Sequence, residues 1–130
     1  SIKEGIKVFY RDIPVGEVFA FELADDATHT LIHANIEPRF AALVKPGSKF
    51  WNSSGIDAKF GIFSGVSVRS KSIESLLEGG IAFATPEPGS TQDALSNPAV
   101  FPLHPSADPV WLSWAPRIAL AKEDAAYANE

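Results

Sequence analysis

Over residues 17–23 the chain sets Phe19, Phe21 and Leu23 against Glu17, Val18, Ala20 and Glu22. Over residues 30–36 it sets Ile32, Ala34 and Ile36 against Leu31, His33 and Asn35. A period of two places alternate side chains on opposite faces of an extended strand, so both stretches are predicted as strands of a sheet buried on one side. Asp25-Asp26 between them reads as a hairpin turn, because aspartate bonds its own backbone and tolerates unusual dihedrals. Residues 7–10 form an earlier strand, and Gly16 falls in the turn that follows.

Beyond the hairpin the period changes. Residues 38–44 predict one helical turn with Phe40, Leu43 and Val44 on a shared face, ended by Pro46-Gly47. Residues 49–51 and 59–63 read as short strands. Ile73, Leu76 and Leu77 stand at i, i+3 and i+4, one amphipathic helical turn. Gly79-Gly80 stops it, and residues 81–84 are again strand-like. Composition shifts at Pro86: residues 86–109 are rich in Pro, Gly, Ser and Asn and read as loop, with a short strand at 101–103. Residues 118–128 favour helix. The predicted organisation is a β core over 1–86, a Pro/Gly-rich loop with a candidate closing strand over 87–117, and a helix-prone tail over 118–130.

Length and charge narrow the classes. At 130 residues with 45% hydrophobic content, the chain is expected to be one folded domain, or one domain with an extra tail. A net charge of -5 with eleven scattered Lys and Arg argues against nucleic-acid binding and a polybasic membrane patch. Absence of cysteine removes disulfides and thiolate chemistry. No apolar run approaches the roughly 18 to 20 residues that span a bilayer. The first recognisable signature begins close to Ser1, so the chain is expected to be a piece of a longer protein that carries the address and the anchor.

Reactive constellations are missing. His29, His33 and His104 lack metal-ligand spacing; His29 and His33 near Asp25 and Asp26 come nearest, and exposed turn and strand residues are the default reading. Gly61 and Gly65 bracket a serine at the wrong position for a nucleophile elbow. Gly47-Ser48-Lys49 lacks the upstream glycine of a phosphate loop. The paired carboxylates, Asp25-Asp26 and Glu123-Asp124, read as solvated charges. No enzyme, cofactor or metal is expected. Phe50, Trp51, Phe60, Phe63 and Phe83 are expected in the core, while Trp111 and Trp114 either pack on the domain as a lid or touch a partner. By pattern alone, Ile73, Leu76 and Leu77 fill the core.

Three signatures resemble a mammalian-cell-entry (MCE) domain, most closely those of paraquat-inducible protein B and its multi-domain relatives. They are Tyr10-Arg11 with Val15-Gly16-Glu17-Val18; Gly47-Ser48-Lys49-Phe50-Trp51; and Ser75-Leu76-Leu77-Glu78-Gly79-Gly80 running on to Pro86. Asp12 and Pro14 depart from the family pattern, and nothing after Pro86 matches it. The resemblance implies an all-β fold, a small closed β-barrel with short helical turns, in which Gly16 supplies a positive-φ turn. It further implies a homohexameric ring in the periplasm, part of an inner-membrane-anchored Gram-negative envelope protein. Its partners would be phospholipids or other lipids and inner-membrane proteins, and Leu76 and Leu77 would line a hydrophobic pore that carries lipid between membranes. The alternative is a spacer or docking domain that bridges membranes or partners without carrying lipid.

Overall fold

The structure is a computed structural model that describes residues 5–54, 72–87 and 99–121. Within these, six strands form one sheet: β1 (Lys7–Tyr10), β2 (Ile13–Leu23), β3 (Thr30–Ile36), β4 (Lys49–Asn52), β5 (Ile81–Ala84) and β6 (Leu103–His104). Their order across the sheet is β3-β2-β1-β5-β4-β6. β1 pairs antiparallel with β2 and parallel with β5; β4 pairs antiparallel with β5 and parallel with β6. The predicted helical turns form as a 3-10 turn at Pro38–Leu43 and a single α-turn, α1, at Ile73–Leu76.

The expected closed barrel does not form. The sheet curls into an open half-barrel whose edges lie 9 Å apart, against about 4.8 Å between hydrogen-bonded strands. The edge strand β6 has two residues, with Pro102 before it and Pro105 after it. Proline donates no ladder hydrogen bond, so this edge stays short. The segment 118–121, expected to begin a helix, has no regular secondary structure. The rest of that tail and the predicted strand at 59–63, with Phe60 and Phe63, lie outside the described residues.

Two bulges set the curl. Opposite β1, Val8 pairs with Gly16 and Phe9 with Pro14, leaving Val15 as the extra residue. Opposite β3, Val18 pairs with Ala34 and Ala20 with His33, leaving Phe19 extra. An extra residue bends its strand and increases the local twist. The second bulge also overturns the simple alternation: Val18 is buried, while Phe19 is 60% exposed.

Gly16 lies inside β2, not in a turn. A Cβ there would stand 2.1 Å from the Asn35 carbonyl oxygen, so close approach of β3 requires glycine at this point. The turn itself is Arg11-Asp12, both with positive φ (50° and 69°), as in the two-residue hairpin loops whose twist matches the flanking strands.

Val8, Val15, Val18, Ile81 and Phe83 from the sheet meet Phe40 and Leu43 from the 3-10 turn and Leu77 from the end of α1. Phe83 sits between Tyr10 (ring centroids 5.0 Å) and Phe50 (4.8 Å), and Phe50 also meets Phe101 at 4.8 Å. A buried polar relay fastens the 3-10 turn to the sheet. Lys45 N donates to Ser48 Oγ (2.9 Å), Ser48 Oγ lies 2.6 Å from Thr85 Oγ1, and Thr85 Oγ1 donates to the Leu43 carbonyl (2.6 Å). Every polar atom in that chain is satisfied, which is the condition for burying it.

Candidate functional site

α1 begins at Ser72, whose hydroxyl accepts the Ser75 amide at 3.1 Å and so caps the first turn. The turn ends at Leu77-Glu78-Gly79-Gly80, where the segment 52–54 grips it. Asn52 Nδ2 (3.0 Å) and Ser54 Oγ (2.8 Å) both donate to the Leu76 carbonyl. Ser53 N donates to the Gly80 carbonyl at 2.9 Å, and Ser53 Oγ to Gly79 O at 3.2 Å. Both glycines are required by this fit. A Cβ on Gly79 would stand 2.5 Å from Ser54 Cα, and Gly80 combines φ +105° with the ring of Phe9 at 2.6 Å from its would-be Cβ.

The clamp divides the two leucines. Leu77 is 1% exposed within the core cluster, so its side chain is not on the surface of this chain. Leu76 is partly exposed on the helical turn, with its backbone held by Asn52 and Ser54. Ile73 is partly buried and packs against the core. The pattern i, i+3, i+4 placed all three on one face, and of the three only Leu77 is fully enclosed.

The remaining candidates have ordinary partners. His29 Nδ1 lies 2.9 Å from Thr28 Oγ1, and His33 Nε2 lies 2.7 Å from Glu22 Oε1. Among the described residues no group of three side chains is placed to hold a metal ion. Trp51 points to the convex face, opposite Phe50, where Trp111 covers it at 5.8 Å and lies 4.9 Å from His104. Trp111 therefore packs on the sheet and stands 6.5 Å from Trp114. Beside it Leu112 is 64% exposed and Val110 is also exposed.

The concave end near the β1–β2 turn carries a groove of about 530 Å³, bounded by that turn, the 3-10 turn and residues 115–120. Burial raises the Tyr10 phenol above its ordinary pKa, with Arg11 opposing the shift and Glu87 adding to it. The phenol is therefore neutral near pH 7. Among the described residues no helix is long and apolar enough to cross a membrane.

No family model matches the chain. It is similar to lipophilic envelope-spanning tunnel protein B of Escherichia coli, 42% identical over 94 residues that make up 72% of this chain and 11% of that protein. It is also similar to a probable intermembrane transport protein of Haemophilus influenzae, 37% identical over 86 residues, 66% of this chain and 10% of that one. The chain is homologous to MCE-type intermembrane transport proteins over most of its length. It spans about a tenth of the length of these two relatives. Both relatives carry names of envelope-spanning or intermembrane transport.

The second and third signatures touch in the fold. Ser48 of the second bonds Thr85 of the third, and a Cβ on Gly47 would meet Pro86 Cγ at 3.1 Å. The residues just after Trp51, Asn52-Ser53-Ser54, hold the turn that carries Leu76. Pattern reading passed over this clamp and the groove. The one sequence signal for the clamp is the Gly79-Gly80 pair, which marks a point of close backbone approach.

Proposed function

We propose that the chain is a periplasmic module of an inner-membrane-anchored envelope protein that assembles as a six-membered ring and takes part in lipid movement between the inner and outer membranes. The homology to proteins named for envelope-spanning and intermembrane transport carries this reading. In such a ring, symmetry repeats one residue into a collar. Leu76 supplies the apolar surface of that collar, and Leu77, buried at 1% exposure, roots each copy in its own core. An apolar collar resists ions yet accepts acyl chains, which gain about 0.8 kcal/mol per buried methylene. The grip of Asn52 and Ser54 on the Leu76 carbonyl supports a collar of fixed position. The expected partners are phospholipids or other lipids, sister copies of the chain, and inner-membrane proteins.

A photo-crosslinking amino acid at position 76 of the full-length parent, irradiated in cells carrying labelled phospholipid, tests this. Lipid adducts at 76 and none at the exposed position 25 support the conduit. The exposed Val110 and Leu112 beside the Trp cluster favour a second reading, a spacer that docks a partner there. Adducts to protein alone at 76, with assembly lost in a Trp111→Ala, Trp114→Ala variant, would replace the conduit by the spacer.

A further inference from the structure

The groove beside Arg11 plays no part in the collar reading, and it lies at the other end of the sheet. Gly80, which follows α1, sits against Lys7 at the start of β1, whereas Phe83 pairs with Tyr10 at its end, next to Arg11. The groove's lining is largely apolar, including Ile13, Phe40, Ile118 and Leu120, and among the described residues that form it Arg11 is the only charged one. Ile13 is 54% exposed and Leu120 is also exposed, so apolar surface is presented to water here. Arg11 makes no ion pair among the described residues. Its φ of 50° belongs to a region that a glycine or asparagine enters more cheaply. A volume of about 530 Å³ lies within the range of small-ligand sites.

An apolar trough bordered by a guanidinium that has no ion-pair partner among the described residues is complementary to a molecule with an alkyl chain and a single anionic head. We propose that this groove binds a single-chain anionic amphiphile, its chain lying along Ile13, Phe40, Ile118 and Leu120 and its head on the Arg11 guanidinium. Arginine's planar fork suits a phosphate or carboxylate head, which accepts two parallel N–H bonds. Tyr10 borders the same mouth and, being neutral, does not repel the anion. Glu87 reaches Tyr10 electrostatically but does not line the groove. The proposal is independent of the collar.

Calorimetry and amide NMR of the 130-residue chain with dodecyl phosphate, dodecyl maltoside and dodecyltrimethylammonium, each below its micelle concentration, decide it. The expected result is saturable one-to-one binding of dodecyl phosphate, at least about tenfold tighter than the cationic detergent, with shifts at residues 11–15 and 115–120. Arg11→Asn, which suits the positive φ, should weaken dodecyl phosphate about tenfold and leave dodecyl maltoside unchanged. Ile118→Asp should weaken all three, and Leu76→Asp at the opposite end none. Equal affinity for the three heads, shifts centred on Trp111 and Leu112, or no binding would each overturn the proposal. So would self-association that Ile118→Asp abolishes, which would make a second copy the occupant.

Discussion

Thr85 is buried and bonds two partners through one hydroxyl, accepting from Ser48 and donating to the Leu43 carbonyl. Thr85→Val keeps the shape but leaves both partners unsatisfied in the core, and should cost about 1–3 kcal/mol. Urea denaturation reads this as a lower midpoint at unchanged slope. In combination with Ser48→Ala the loss should fall short of the sum, because the two hydroxyls belong to one relay. Asp26 behaves differently, being on the surface. The Thr28 hydroxyl and amide both donate to its carboxylate and hold its pKa below the ordinary 3.8. A depressed folded-state pKa contributes stability that is present above 3.8 and is lost as pH falls through the lower folded value. In Thr28→Val the Asp26 carboxyl, followed by NMR, should titrate closer to 3.8. The part of the stability difference that Asp26 contributes should vanish once its carboxyl is protonated in both proteins.

Within β2, the bulge at Phe19 decides which apolar residues are structural. The alternation along residues 17–23 groups Phe19 with Phe21 and Leu23, but the inserted residue shifts the phase, and Val18 takes the interior place. Val18→Asp should therefore prevent folding, since it buries an unpaired charge. Phe19→Asp should change stability by no more than about 0.5 kcal/mol, as for other exposed positions. Circular dichroism and thermal melts of the two variants separate the assignments, and similar melts would contradict the bulge. His33 and Glu22 pair across the same convex face, 2.7 Å apart, with the Phe19 ring 5.9 Å from His33. α1 shows the complementary case. Its helical period is visible in the sequence, and its N-cap Ser72 is of the expected type, yet which leucine is enclosed depends on packing against the core that the sheet and the 3-10 turn assemble from distant segments.

At the scale of the molecule, β3 and β6 are the edges of the sheet among the described residues. In an open half-barrel, the β3 amides that do not bond β2 face no strand partner among the described residues, and amide exchange should find them nearly as fast as unstructured amides. Val8, Phe9 and the residues of β5 lie between two paired strands and should exchange most slowly. Uniform protection along β3 would mean that the sheet closes. Exposed edges also present unpaired donors and acceptors. The curl leaves the Arg11 groove at one end of the β1–β5 pair and Leu76 at the other, so the tests of the two surfaces do not interfere.

Local order was legible in the sequence. The strands at 7–10, 30–36, 49–51 and 81–84, the Asp25-Asp26 turn, and the helical turns at Phe40 and Leu76 appear where period and turn chemistry placed them, whereas the strand read at 17–23 begins at Ile13 and runs through the expected turn at Gly16. Each depends on neighbours a few residues apart, which the linear pattern records. Kinship was legible too, because the Gly47–Trp51 and Ser75–Pro86 signatures preserve contacts that the fold makes. Only the tertiary structure decided the phase of β2, the open edge, the separation of Leu76 from Leu77, the outward place of Trp51, and the groove at Arg11. These depend on which residue of a bulge is left unpaired and on how near one backbone comes to another, as at Gly16 and Gly79. Such distances arise between segments far apart in the chain, and no short-range period encodes them.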